Sequence, residues 1–292
     1  MVNKSMDFFL KISITTHSAI SFKCLLFIMA LNLTPNTHAL ELDGVISQGS
    51  LVSGYVDPVL KLKVMGKKVR VDSSGLYVFG LGRNAPPKIT LTTSSIDGEI
   101  QRSYIFSVIQ RKYKVQNIFG VPQKTVNPPA EVLDRIRREA SEVRLARKID
   151  TGTLDFLAGF KMPLRGKITG VYGSRRIYNG SPSNPHYGLD IAAQEGANVY
   201  APAPGVVELV NESMFYSGGT LIIGHGHGVS STFIHLSKVV VPLGKRVKKG
   251  DLIARVGSTG RSTGPHLDWR INWFDVRLDP ELVLRRFPST DG

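Results

Sequence analysis

The sequence is almost without thiols: Cys24 is its only cysteine, so no disulfide can staple the fold from within. It has no apolar run after residue 40 that approaches the roughly 20 residues needed to span a bilayer. It has no arginine-rich block and no finger or RNP-like motif, which makes nucleic acid the weakest candidate partner. Acidic residues are scarce: 23 Asp and Glu stand against 37 Lys and Arg, a formal net charge of +14. Such a balance favours a polyanion, and an anionic membrane face or the cell-wall polymer remain. At 42% hydrophobic and 21% charged, the composition is that of a folded chain, not a fibrous or disordered one. Its 292 residues suffice for one large domain or two ordinary ones.

The N-terminus carries an export signal. Lys4, Lys11 and Lys23 precede a short apolar run, Cys24–Leu31, and Thr37-His38-Ala39 supplies a small-x-small cleavage site. This is the layout of a secretory signal peptide. Residues 1–39 are expected to be removed, taking Cys24 with them and leaving no thiol for catalysis. The long charged region leaves an internal start at Met6 open. The alternative, an uncut anchoring helix, is disfavoured by the shortness of the run, so no stable membrane insertion is expected.

Beyond the leader, residues 40–112 read as a small all-β domain. Leu60, Leu62 and Val64 alternate with Lys61 and Lys63, and Asp72-Ser73-Ser74-Gly75 turns into Leu76-Tyr77-Val78-Phe79. Residues 113–159 form a helical connector. Asn127 caps, Pro128 takes the first helical position, and Val132, Ile136, Ala140, Val143 and Ala146 recur at helical spacing. Its other faces carry Arg135, Arg137, Arg138, Arg144, Arg147 and Lys148. These suit either an anionic ligand or a solvated connector, the second being the plainer reading. Residues 160–284 form a second β-rich domain of short runs broken by glycine, followed by a tail, 285–292. The expected fold class is mainly β: a C-terminal antiparallel β-sheet, barrel-like, with a smaller N-terminal all-β domain and a connecting helix.

Of seven histidines, His17 and His38 fall in the leader; the other five lie between His186 and His266. His186 and Asp190 bracket a turn entering a strand, where they share a side. An imidazole and a carboxylate converging from one segment are sensible metal ligands. His266 and Asp268, two apart on a strand, also leave one face. His235 follows a predicted strand, in Phe233-Ile234-His235-Leu236-Ser237, where a packed core histidine is the blander reading.

These segments together resemble the lysostaphin-type zinc endopeptidases of bacterial cell walls, the M23 peptidase family. Four blocks carry the resemblance, in the family's order: His186-Tyr187-Gly188-Leu189-Asp190-Ile191-Ala192, then Val199 to Val207 with Ala201-Pro202-Ala203-Pro204-Gly205, then Phe233 to Ser237, then Gly257 to Asp268. It covers about residues 160 to 280; the region before resembles, with less specificity, the accessory portion of Gram-negative members. The resemblance implies His186, Asp190 and Asp268 as ligands of one Zn2+, with His235 and His266 as the catalytic pair, their roles undivided. Where this chain has Asp268 the family normally has histidine. A second carboxylate is an acceptable zinc ligand, and it would cancel more of the ion's charge, weakening its Lewis acidity and widening its tolerance of other divalent metals.

The function implied is zinc-dependent hydrolysis of peptidoglycan cross-links, D-Ala–meso-diaminopimelate first among them, in the periplasm of a Gram-negative bacterium. The stem peptides would be the partner. Arg175, Arg176, Tyr187 and Trp269 are candidate substrate contacts, against plain roles as solvated turn charges or packing. Two rivals stand beside it: a catalytically inactive module of the same fold that binds peptidoglycan or regulates an amidase, and a basic adhesion or scaffold protein. The inactive module would be expected to lose metal ligands or the paired histidines; the scaffold leaves the clustered histidines unexplained.

Overall fold

The computed structural model describes residues 40–98 and 101–290; the leader expected at 1–39 lies outside them. The period-two pattern near the N-terminus folds as its alternation requires. In strand Lys61–Val64, Leu62 and Val64 are buried while Lys61 and Lys63 face solvent. This strand pairs antiparallel with Lys67–Val69 and Lys88–Ser94, and Gln101–Ser107 completes a four-stranded sheet. A second, three-stranded sheet joins Glu41–Asp43, Leu51–Tyr55 and Leu76–Gly80.

The connecting helix begins later than its sequence signals suggest. Pro129 remains extended, so a 3-10 turn at Ala130–Val132 opens the helix and Leu133–Arg147 is its α-helical body. Its apolar stripe is short. Ala146 is buried with Leu209, Met214 and Ile222, and Val143 packs alongside. Among the described residues no helix is long and apolar enough to cross a membrane.

The C-terminal domain is built on a ten-stranded sheet, while its strands Arg175–Tyr178 and Ser181–Pro182 form a separate three-stranded sheet with Val115–Ile118, a strand within the segment expected as connector. The main path of the ten-stranded sheet runs Arg246–Val247, Gly205–Met214, Gly218–Gly224, Val229–Val239, His266–Trp273, Leu189–Ala192, Lys167–Gly170. The barrel-like closure expected from the sequence is not formed. Lys167–Gly170 and Arg246–Val247 are both edges, so hydrogen bonding never returns on itself. Closure demands a consistent tilt and stagger around the whole ring. Here the edge strands are short, and register shifts interrupt several pairings, so the sheet bends and forks instead. Val229–Val239 is the fork: its first part pairs with His266–Trp273, and its end pairs with Leu252–Val256. A continuous apolar core, from Leu51 through Phe233 and Trp269 to Phe287, underlies these elements.

Candidate metal centre

The site sits where the fork opens. Strands Leu189–Ala192 and His266–Trp273 pair antiparallel, with Asp190 directly opposite Asp268 and Ala192 opposite His266. Paired residues point to one face, so both carboxylates emerge together. His186, just before the first of these strands, turns its ring to them: Nε2 lies 3.1 Å from Asp190 Oδ1 and Nδ1 lies 3.9 Å from Asp268 Oδ2. One donor atom from each of His186, Asp190 and Asp268 falls within 4.8 Å of the others.

This trio fits a metal ion. His186 and Asp268 are only 2% and 1% exposed, yet both His186 nitrogens and Asp190 Oδ1 lack a hydrogen-bond partner. Nε2 comes within 3.1 Å of Oδ1 without forming a hydrogen bond to it. Buried polar atoms are rarely left so, and a cation bound by one His186 nitrogen and Asp190 Oδ1 would satisfy two of these three. Backbone space is reserved for the carboxylates too. A Cβ at Gly188 would strike Asp268 Oδ1, and one at Gly170 would strike Asp190 Oδ2.

Two arginines hold the carboxylates. Arg270 forks Asp268, Nε to Oδ1 at 3.0 Å and Nη2 to Oδ2 at 2.6 Å, while Arg176 pairs with Asp190 Oδ2. Burial disfavours the charge on Asp268, but Arg270 and His186 outweigh it and hold its carboxyl below the usual range. Asp190 is likewise opposed by burial, then drawn down by His186 and Arg176 against the repulsion of Asp268. Both are carboxylates at neutral pH. Each oxygen keeps a lone pair beyond its arginine bond, so the forks leave room for a metal.

His235 and His266 flank the trio, their ring centroids 4.8 Å apart. His235 lies within strand Val229–Val239, at the irregularity where the strand changes partners, with φ at +65°. That left-handed conformation is strained for a residue with a side chain, and it redirects the imidazole. His235 Nδ1–H donates to Thr259 O at 2.7 Å, and His266 Nδ1–H donates to Gly264 O at 2.8 Å. The carbonyls thus set both tautomers and leave each Nε2 with its lone pair. His266 Nε2 is 4.0 Å from Asp190 Oδ1. Burial pushes the His235 imidazole down to about 4, so it is neutral at physiological pH. A cavity of about 490 Å3 opens beside these groups, lined in part by Arg176, Asp190, Arg261, His235 and His266.

The proposed substrate contacts divide. Arg176 is at the centre through its bond to Asp190. Trp269 is not: it is fully buried in the core, because alternation sends it to the face opposite Asp268. Arg175 lines a separate cavity with Arg83, Arg111 and Tyr113. Tyr187 lines another, with Arg83, Val276 and Arg277. His225 and His227 stand apart from the trio. His225 is bonded on both ring nitrogens, to Pro204 O and Ser231 Oγ, and burial lowers its pKa to about 4. It is a neutral core residue. Arg270, the partner of Asp268, was not singled out from the sequence, although its position two residues along the same strand signals it.

A His/Asp/Asp donor set on neighbouring antiparallel strands, flanked by two histidines, defines a metallopeptidase-type site. Residues 184–280 match Peptidase family M23, and this part of the chain is an M23-family metalloendopeptidase domain with a His/Asp metal-binding triad. Among relatives, the chain is 41% identical over 87 residues to peptidoglycan DD-endopeptidase ShyB of Vibrio cholerae, covering 30% of this chain and 20% of that protein. It is 44% identical over 104 residues to DD-carboxypeptidase/endopeptidase Mpg of Neisseria gonorrhoeae, covering 36% and 24%. The chain thus spans about a quarter or less of these relatives' lengths. A solved structure described as a peptidase M23 from Pseudomonas aeruginosa superposes over 83% of this chain and 96% of its own, with a TM-score of 0.64 and 29% identity.

Proposed function

We propose that this chain is a zinc-dependent peptidoglycan endopeptidase, exported to the periplasm, that hydrolyses stem-peptide cross-links, with D-Ala–meso-diaminopimelate as the bond cut. The observation that carries the reading is the buried donor set of His186, Asp190 and Asp268, whose imidazole nitrogens and Asp190 Oδ1 have no partner, beside two histidines locked in one tautomer. The names of the relatives support the substrate class, the basic charge suits a polymer bearing carboxylates, and the signal-like N-terminus supports export.

His186, Asp190 and Asp268 would hold the ion, three protein ligands leaving a position open. A zinc ion, when bound, supplies Lewis acidity that polarises an amide carbonyl and acidifies water. The Nε2 lone pairs of His235 and His266 would take a proton from the attacking water and return it to the leaving nitrogen. Once protonated, either ring donates to the developing oxyanion. Arg176 keeps Asp190 ionised and oriented, and Arg270 does so for Asp268. Substrate entering the cavity meets Arg261, Gln116 and Asn117 on its walls.

The test is digestion of purified Gram-negative peptidoglycan with zinc added or chelated, with products identified by mass. Loss of cross-linked dimers that needs zinc and His266 supports the reading and names the bond. Intact sacculi with stoichiometric zinc bound would sink the endopeptidase, and an inactive wall-binding module would replace it.

A further inference from the structure

The face of the sheet that bears the metal centre continues beyond it. Alternation along His266–Trp273 puts Asp268, Arg270 and Asn272 on one side. Their cross-strand partners share that side: Thr232 opposite Arg270, and Ser230 and Arg277 on either flank of Asn272. The last turn of helix Leu133–Arg147 lies over this row, and Arg147 Nη2 donates to Thr232 Oγ1 at 3.0 Å. Between helix and sheet is a cavity of about 460 Å3, lined by Arg144, Arg147, Arg277, Tyr216 and Asp275 among others.

Its charges do not balance. Arg147 is only 4% exposed, makes no ion pair among the described residues, and has a buried Nε without a hydrogen-bond partner. Arg277 Nη1 is also buried and unpartnered. Arg270 is already neutralised by Asp268. Glu139, on the helix side, is taken by Arg135 and by the Phe215 N–H. Among the described residues, Asp275 is the one remaining carboxylate on the lining, set against Arg144, Arg147 and Arg277. Burial, then repulsion among Arg277, Arg270 and Arg147, drives Arg147 well below the arginine range, and burial with Arg270 brings Arg277 down to about 10. A buried guanidinium with spare N–H groups and no counter-charge is strongly unfavourable. The same group is a strong receptor for a planar or tetrahedral oxyanion, which it can grip with two parallel bonds.

We propose that this cavity is an anion-binding site, distinct from the metal centre, in which Arg147 and Arg277 hold the oxyanion of a carboxylate or phosphate group. The anion completes the charge balance between the connecting helix and the sheet. The site requires neither the metal nor the peptidase reaction, so it stands or falls apart from the proposed activity.

Calorimetric titration of the metal-loaded protein with inorganic phosphate, with acetate and with a stem tetrapeptide tests it. Repetition in chelator separates the pocket from the metal. Binding that survives the chelator, and weakens at least about tenfold in Arg147→Met and in Arg277→Met but not in Arg138→Met, supports the site; Arg138 is exposed on the same helix. Because Arg147→Met removes an uncompensated buried charge, it also raises the unfolding midpoint of the anion-free protein. Preference for phosphate marks a free phosphate-class ligand, and preference for acetate and the tetrapeptide marks a peptide carboxylate. Binding that vanishes with the metal, equal affinity in all three variants, or no binding of any probe overturns the proposal. A protein that binds these anions but leaves peptidoglycan intact would end the endopeptidase reading and leave this pocket standing.

Discussion

Asp190 and Asp268 stand directly opposite one another on antiparallel strands, a like-charged cross-strand pair buried at the head of a groove. Such pairs are destabilising, and burial raises the cost. Each carboxylate therefore has its own guanidinium, Arg176 or Arg270, and His186 reaches both. With those charges already matched, what a divalent cation would find here is free donor atoms, since Asp190 Oδ1 and the His186 nitrogens have no hydrogen-bond partner among the described residues.

That arrangement predicts the behaviour of Arg270→Ala. Removing one partner of a buried ion pair leaves Asp268 uncompensated beside Asp190, and the chelated protein should lose about 3 kcal/mol of stability. With the competing guanidinium gone, added zinc should stabilise the variant more than the parent. Denaturant melts with and without zinc measure both effects; an equal or smaller zinc effect in the variant would show that Arg270 serves the metal by orienting Asp268.

Gly188→Ala should abolish metal binding while the remainder of the fold survives. The new methyl group would meet Asp268 Oδ1 and crowd Arg270 Cγ, pushing a ligand from its place. Zinc stoichiometry by atomic absorption reads the effect, and a full equivalent of retained zinc would contradict it.

His235→Ala and His266→Ala should each retain zinc but lower cross-link hydrolysis by about 10^2- to 10^4-fold, the usual worth of a positioned acid or base. Neither residue belongs to the donor trio. Comparison of metal content with turnover separates this role from that of a ligand; parallel loss of both would mean that the histidine binds the ion.

Glu208 offers a pH test away from the site. Burial raises its carboxyl to about 8 from an ordinary 4.5. The folded state therefore holds the proton more tightly than the unfolded state. Its contribution to stability is full below pH 4.5 and is lost as pH rises through 8. Glu208→Gln should flatten the decline in unfolding midpoint between pH 5 and 8; an unchanged slope would place the carboxyl in water.

Much of the site is legible along the chain, because strand alternation is local. The spacing of His266 and Asp268 put them on one face, and the same rule places Trp269 on the other, in the core, which its aromatic character disguised. The Lys61–Val64 alternation folds as written. His225 and His235 both sit in apolar surroundings, and spacing alone does not separate them. One is held by Pro204 and Ser231 inside the core; the other is redirected at a strand irregularity.

Local pattern made several strands legible, with the residues that share a face and an imidazole and two carboxylates as available ligands, because periodicity and side-chain chemistry are read between neighbours; it did not signal strand Val115–Ile118 within the expected connector. Four features come from the fold alone: Asp190 faces Asp268, the sheet stays open, Arg270 forks a ligand, and Arg147 from the connecting helix is buried against Thr232. Those contacts join residues far apart in the chain, and they depend on strand order, register and the bulges that bend the sheet, none of which a local pattern encodes.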